Sequence, residues 1–152
     1  MITKRDPWAD SPKTSITSTP RPPLQGMRIL VVDDDCDTAE TLAMLLEMDG
    51  AQASACTSAQ SALQTLGEGH WDAVLLDIGM PVMDGVEVAQ AIRDRTVGSR
   101  LFVAAVTGHV QGGIYDRIAE AEFDLVFTKP ADPEHLCRAL AAWWKAPSKK
   151  VL

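Results

Sequence analysis

Four short apolar runs punctuate the chain, and each ends on a polar residue. Met27-Arg28-Ile29-Leu30-Val31-Val32 runs into Asp33-Asp34-Asp35, and Ala73-Val74-Leu75-Leu76 into Asp77. Leu101-Phe102-Val103-Ala104-Ala105-Val106 ends on Thr107, and Leu125-Val126-Phe127 leads through Thr128 to Lys129-Pro130. A weaker strand is expected at Gln52–Ala55. Between these runs the apolar residues recur at helical spacing. Helices are expected over about Asp37–Met48, from Thr57 or Ser58 to Leu66, and over Val86–Asp94, Ile114–Ala121 and Pro133–Trp144. Asp35 or Asp37 can cap the first and Asp132 the last. Asp49-Gly50 closes the first helix, because glycine accepts a left-handed cap.

The order is (βα)5. Runs that are apolar throughout, not alternating, belong to a parallel sheet covered on both faces. Right-handed crossovers then give a doubly wound, three-layer α/β sandwich. In such sheets the site lies beyond the carboxyl ends of the strands. There this chain collects several carboxylates, a hydroxyl and an ammonium, a set suited to a divalent cation and a phosphoryl group.

Residues 1–26 break the pattern, with five prolines among Ser and Thr and no apolar periodicity. They read as a disordered or extended, mildly basic tail, inert or a docking segment. Residues 27–146 form the expected domain, and 147–152 a frayed end.

Composition narrows the function. The net charge of −7 argues against nonspecific nucleic-acid binding. No apolar stretch has the length of a membrane span, and Met1–Ala9 lacks the core of a signal peptide. The three cysteines, Cys36, Cys56 and Cys137, form no ligand pattern. They read as buried or half-buried fillers in a reducing, cytoplasmic setting.

From Met27 to Trp144 the chain resembles the receiver domain of two-component response regulators. The resemblance rests on Ile29–Asp35, on Leu75-Leu76-Asp77-Ile78-Gly79-Met80-Pro81-Val82-Met83-Asp84-Gly85, on Val106-Thr107-Gly108, and on Thr128-Lys129-Pro130. It implies a flavodoxin-like sheet of order 2-1-3-4-5 and a phosphoacceptor at Asp77. It implies Mg2+ held directly by Asp34, Asp77 and the Gly79 carbonyl, and through water by Asp33. Lys129, joined to Pro130 by a peptide bond expected to be cis, would pair with Asp77 and later with its phosphoryl group. Thr107 would be the switch hydroxyl, with Gly108 and His109 bordering the site.

The implied protein is a switch and not an enzyme. It would be a stand-alone receiver taking a phosphoryl group from a sensor histidine kinase or histidine phosphotransfer protein. Its output would pass to a downstream protein or onward through a phosphorelay. Two departures stand out: Val126 occupies a usually aromatic position, and Ala131 one that is often Phe. The alternative is a phosphatase of the haloacid dehalogenase type, with a strand-one nucleophile in Asp33-Asp34-Asp35-Cys36-Asp37. Asp37 stands there in place of the expected Thr or Val.

Overall fold

The computed structural model describes residues 20–95, 100–108 and 113–146. The strands are β1 (Arg28–Val32), β2 (Gln52–Cys56), β3 (Ala73–Asp77), β4 (Phe102–Thr107) and β5 (Leu125–Thr128). The helices are α1 (Cys36–Met48), α2 (Ala59–Gly67), α3 (Gly85–Arg95), α4 (Ile114–Glu120) and α5 (Pro133–Lys145). All strand pairs are parallel, in the order β2-β1-β3-β4-β5. Fold class and strand order are those expected.

The apolar runs supply two cores at once. Neighbouring strand residues point to opposite faces. Ile29, Val31, Leu75, Ala104 and Val106 therefore join Leu46, Leu136 and Leu140 in one buried cluster, on the α1–α5 side. Leu30, Val32, Leu76, Val103 and Ala105 join Val88, Ala89 and Ile92 in the other, on the side of α2, α3 and α4. Each fully buried aliphatic side chain is worth roughly 1.5–3 kcal/mol. β2 lies at the sheet edge and is mostly exposed, which is why its run Gln-Ala-Ser-Ala-Cys is so weakly apolar.

Local signals hold the boundaries. The carboxylate of Asp35 accepts from the Thr38 N–H and caps α1, and Ser58 caps α2 in the same way. Asp132 caps α5, where Pro133 occupies the first turn. Gly50 has φ +98°, as a left-handed turn after α1 requires.

Two expectations change. Packing begins before Met27: Leu24 is fully buried, its N–H donates to the Asp49 carbonyl, and the Trp144 indole donates to the Gln25 carbonyl. A single leucine among prolines carries no periodicity, so the pattern could not place it. Cys36 is exposed, because it opens α1 on the solvent side, while Cys56 and Cys137 are half-buried and all three are free thiols. The expected tail and frayed C-terminus, over residues 1–19 and 147–152, lie outside the described residues. Among the described residues no helix is long and apolar enough to cross a membrane.

Candidate functional site

Strand register assembles the site. Val32 pairs with Leu76, Asp77 with Val106, and Thr107 with Thr128. The residues at or just beyond these ends are Asp33, Asp77, Thr107 and Lys129, so all four meet at one edge of the sheet. The Lys129 N–H donates to the Thr107 carbonyl at 2.8 Å, extending that register by one step, and the Lys129-Pro130 peptide is cis.

One carboxylate oxygen each from Asp33, Asp34 and Asp77 lies within 4.8 Å of the others. Asp33 and Asp77 are buried, while Asp34 is exposed. Because Asp35 caps α1, Asp33 and Asp34 are released from that task. Both Asp33 oxygens nonetheless have partners: Oδ1 accepts from the Asp35 N–H at 2.9 Å, and Oδ2 from Lys129 Nζ at 2.7 Å. Asp77 Oδ1 accepts from the Gly79 N–H at 3.1 Å, and its Oδ2 lies 3.5 Å from Lys129 Nζ. The ammonium thus serves both buried acids and sits nearer Asp33 than the Asp77 pairing alone would imply.

Electrostatics follow from this placement. Burial raises the Asp77 carboxyl above the ordinary range; the Gly79 N–H lowers it, and the nearby Asp33 charge raises it again. For Lys129, burial alone would lower the ammonium, but Asp33 and Asp77 together hold it above its ordinary value. Three clustered oxygen ligands, with a single ammonium against them, fit a hard divalent cation such as Mg2+.

Thr107 is buried, and Gly108 is exposed beside the Lys129 stem, where a Cβ would stand 3.7 Å from Lys129 Cβ. His109 lies outside the described residues. Val126 is 39% exposed, whereas Phe127 is buried and meets the His135 ring edge-on at 5.7 Å.

Asp84 and Gly85, at the end of the loop after β3, carry roles that their place in the sequence motif does not assign. Asp84 Oδ1 accepts from the Glu87 N–H at the start of α3, and Oδ2 pairs with Arg117 of α4 at 2.8 Å. A Cβ at Gly85 would stand 2.4 Å from the Asp77 carbonyl oxygen, so only glycine lets α3 start against the end of β3. An Asp-Gly pair just before an apolar-periodic segment was the available signal.

A strand-one phosphatase nucleophile would have to be Asp33, whose two oxygens are already engaged. Comparison with known proteins points elsewhere. The chain is 35% identical over 115 residues to an uncharacterized 14.6 kDa protein of Leptolyngbya boryana, covering 76% of this chain and 88% of that one. It is 36% identical over 105 residues to the transcriptional regulatory protein PrrA of Mycobacterium bovis, covering 68% of this chain and only 43% of that regulator. Among solved structures, a CheY-like response regulator receiver domain from Methanospirillum hungatei superposes with a TM-score of 0.76 at 24% identity, over 84% of this chain and all of that one. The profile of the response regulator receiver domain matches residues 29–141, and on that match the chain belongs to the receiver-domain family of two-component systems.

Proposed function

We propose that Asp77 accepts a phosphoryl group from a phosphohistidine donor in a magnesium-dependent reaction, and that the phosphorylated domain signals through protein contacts or onward phosphotransfer. One observation carries this reading. Asp77 is a buried strand-end carboxylate with Asp33, Asp34 and Lys129 gathered around it. Burial withholds solvent from the carboxylate and raises the free energy of its charge, which favours reaction at that oxygen.

Asp34 and Asp77 would hold the ion directly. Asp33, with both oxygens engaged by protein donors, suits an outer position. The Gly79 carbonyl is proposed as a further ligand. When bound, Mg2+ supplies positive charge between the anionic carboxylate and the phosphoryl oxygens. The chain supplies the rest. The Gly79 N–H orients Asp77 through Oδ1 and leaves Oδ2 on the Lys129 side. Attack by an Asp77 oxygen forms the P–O bond as the P–N bond to the donor imidazole breaks. Lys129 needs only a small movement from Asp33 to meet the new phosphoryl charge, and its flexible stem permits it. Thr107, at the neighbouring strand end, would donate its hydroxyl to a phosphoryl oxygen. Gly108 and His109 would border the entry.

Partners are then a histidine kinase or histidine phosphotransfer protein upstream and a protein target downstream. The acidic charge balance disfavours direct contact with nucleic acid. The test is intact mass after incubation with acetyl phosphate and magnesium. One base-labile phosphoryl increment is expected, and Asp77→Ala abolishes it. Labelling that survives in Asp77→Ala but disappears in Asp33→Asn overturns the assignment.

A further inference from the structure

Helix α4 is held differently at its two ends. Its C-terminal end is fixed to α3. Glu122, just past the helix, sits in the left-handed region at φ +57°, and its carbonyl accepts from Arg93 Nη2 at 2.9 Å. The same nitrogen donates to Asp124 Oδ2 at 3.0 Å, while Arg93 Nη1 donates to the Leu101 carbonyl. Asp124 Oδ2 accepts in turn from the Val103 N–H of β4. The N-terminal end lacks such support. It starts at Gly113 with no side-chain cap, and Ile118 is the one buried residue of the helix. Between the two ends lies Arg117. Its Nη2 donates to Asp84 Oδ2 at 2.8 Å, and this is the only ion pair that α4 makes among the described residues.

Asp84 belongs to a loop that supports itself. The Met83 N–H donates to the Pro81 carbonyl at 2.9 Å and the Gly85 N–H to the Ile78 carbonyl at 3.2 Å. Asp84 Oδ1 accepts from the Glu87 N–H at 3.0 Å. Gly85 packs against the Asp77 carbonyl, so Asp84 follows the backbone at the end of β3. Removing the Arg117 guanidinium leaves every one of these contacts in place. The effect of the pair therefore falls on α4: it fastens the uncapped half of the helix to the strand that ends on Asp77.

We propose that the Asp84–Arg117 pair is a releasable tie: it holds α4 against the β3–α3 loop while Lys129 rests on Asp33, and it opposes the displacement of α4 that a phosphoryl group on Asp77 brings about. Thr107 and Gly108 end β4 beside that group, and α4 is the next helix, so its uncapped end moves first. The corner held by Arg93 is the pivot. The link to phosphorylation rests on Asp77 being the phosphoacceptor; the tie itself does not. By reciprocity, a contact that opposes this displacement also opposes occupancy of the Asp77 site by the same factor. The Arg117 and Asp84 side chains are 46% and 26% exposed, so the pair is weak enough to release. Pairs of this kind correspond to an effect of roughly two- to five-fold.

Arg117→Gln and Asp84→Asn in the full chain test it. The second keeps an acceptor for the Glu87 N–H, so the α3 cap survives in both. Without any phosphodonor, hydrogen exchange at the amides of Arg117–Ala121 should quicken in each variant by that factor, and the double variant should add nothing. In saturating magnesium, beryllium fluoride should bind each variant more tightly by a similar factor, and acetyl phosphate should label Asp77 faster. Magnesium alone should bind with unchanged affinity, because the loop keeps its own hydrogen bonds. Unchanged exchange in α4 overturns the tie, and unchanged or weaker beryllium fluoride binding overturns its opposing role. A change in Asp84→Asn that Arg117→Gln does not reproduce assigns the effect to the cap and overturns it as well. Weaker magnesium binding in both variants makes the pair a brace for the loop, which again overturns it. If the native chain neither labels at Asp77 nor responds to beryllium fluoride while the exchange result holds, the phosphoacceptor reading falls and the tie stands.

Discussion

Lys129 gives its shorter ion pair to Asp33, at 2.7 Å, and its longer one to Asp77, at 3.5 Å. Asp77, the proposed phosphoacceptor, is thus the less compensated of two buried acids, and burial raises its carboxyl above the ordinary range. The sign for stability follows. A carboxyl raised on folding favours the native state while protonated, and that contribution is lost as pH rises through the folded value. Ionised Asp77 therefore destabilises the metal-free protein at neutral pH. Asp77→Asn keeps an acceptor for the Gly79 N–H and removes the charge. It should stabilise the metal-free domain at pH 7 by on the order of 1 kcal/mol. The gain should shrink as pH falls through the Asp77 titration and should also shrink when magnesium is added. Chemical denaturation at several pH values, with and without magnesium, reads this directly. A gain independent of both would place the repulsion elsewhere.

Asp84 holds two elements with two oxygens. Oδ1 caps α3 and Oδ2 pairs with Arg117. Its carboxyl is lowered: burial acts against this, but the Glu87 N–H and then Arg117 outweigh it. Its contribution is therefore present above the ordinary aspartate value of about 3.9 and is lost as pH falls through the lower folded value. Asp84→Asn should keep the cap and cost well under 1 kcal/mol, because the pair is partly exposed. Asp84→Ala should cost about 1 kcal/mol more through the lost cap. Equal losses in urea unfolding would show that the cap contributes nothing.

Gly85 is a steric requirement. A Cβ there would overlap the Asp77 carbonyl oxygen at 2.4 Å and the Ile78 Cα at 2.9 Å. Backbone must move to relieve the overlap, and the backbone concerned carries Asp77, the proposed phosphoacceptor. Gly85→Ala should cost about 3 kcal/mol, at the upper end of overpacking penalties. It should also slow acetyl phosphate labelling of Asp77. Unchanged melting and labelling would mean that α3 can start further from β3.

The strand ends were legible because chemistry there is concentrated in single residues: an apolar run that stops at Asp77 or at Thr128-Lys129 marks both the strand and the site. The Asp35 cap was legible as one of two candidates, since capping needs only a short polar side chain before a helical pattern. The preference of Lys129 for Asp33 was not, because it depends on how far the lysine at the end of β5 reaches across β4 and β3 toward the end of β1. The close approach at Gly85 and the burial of Leu24 also lay beyond reach. Both are contacts between segments whose local sequence says only "turn".

Val82 is a further case. It lies in the loop between β3 and α3, fully exposed, with φ +71°. A β-branched residue in the left-handed region costs roughly 1–2 kcal/mol, and no packing offsets it here. Val82→Asn should stabilise the domain by about 1 kcal/mol, since asparagine tolerates this conformation. A thermal melt showing destabilisation instead would mean that the valine side chain is held by contacts in solution.

The last prediction concerns how the phosphorylated state is read out. Val126 and Phe127 are neighbours on β5 and point to opposite faces. Phe127 is buried against His135 of α5, whereas Val126 is 39% exposed and has no ring to turn inward. Valine is also stiff about χ1. The change that starts at Asp77 should therefore spread along the backbone after β4, through Thr107 and Gly108, and into the start of α4. That helix begins at Gly113, with φ +47° and no side-chain cap, so its first turn has little to resist movement. Amide shifts on adding beryllium fluoride and magnesium should be large at Thr107, Gly108 and Gly113–Ile118. They should be small on the exposed face of α5. Equally large shifts along α5 would show that the Phe127–His135 contact, rather than the α4 entry, carries the signal.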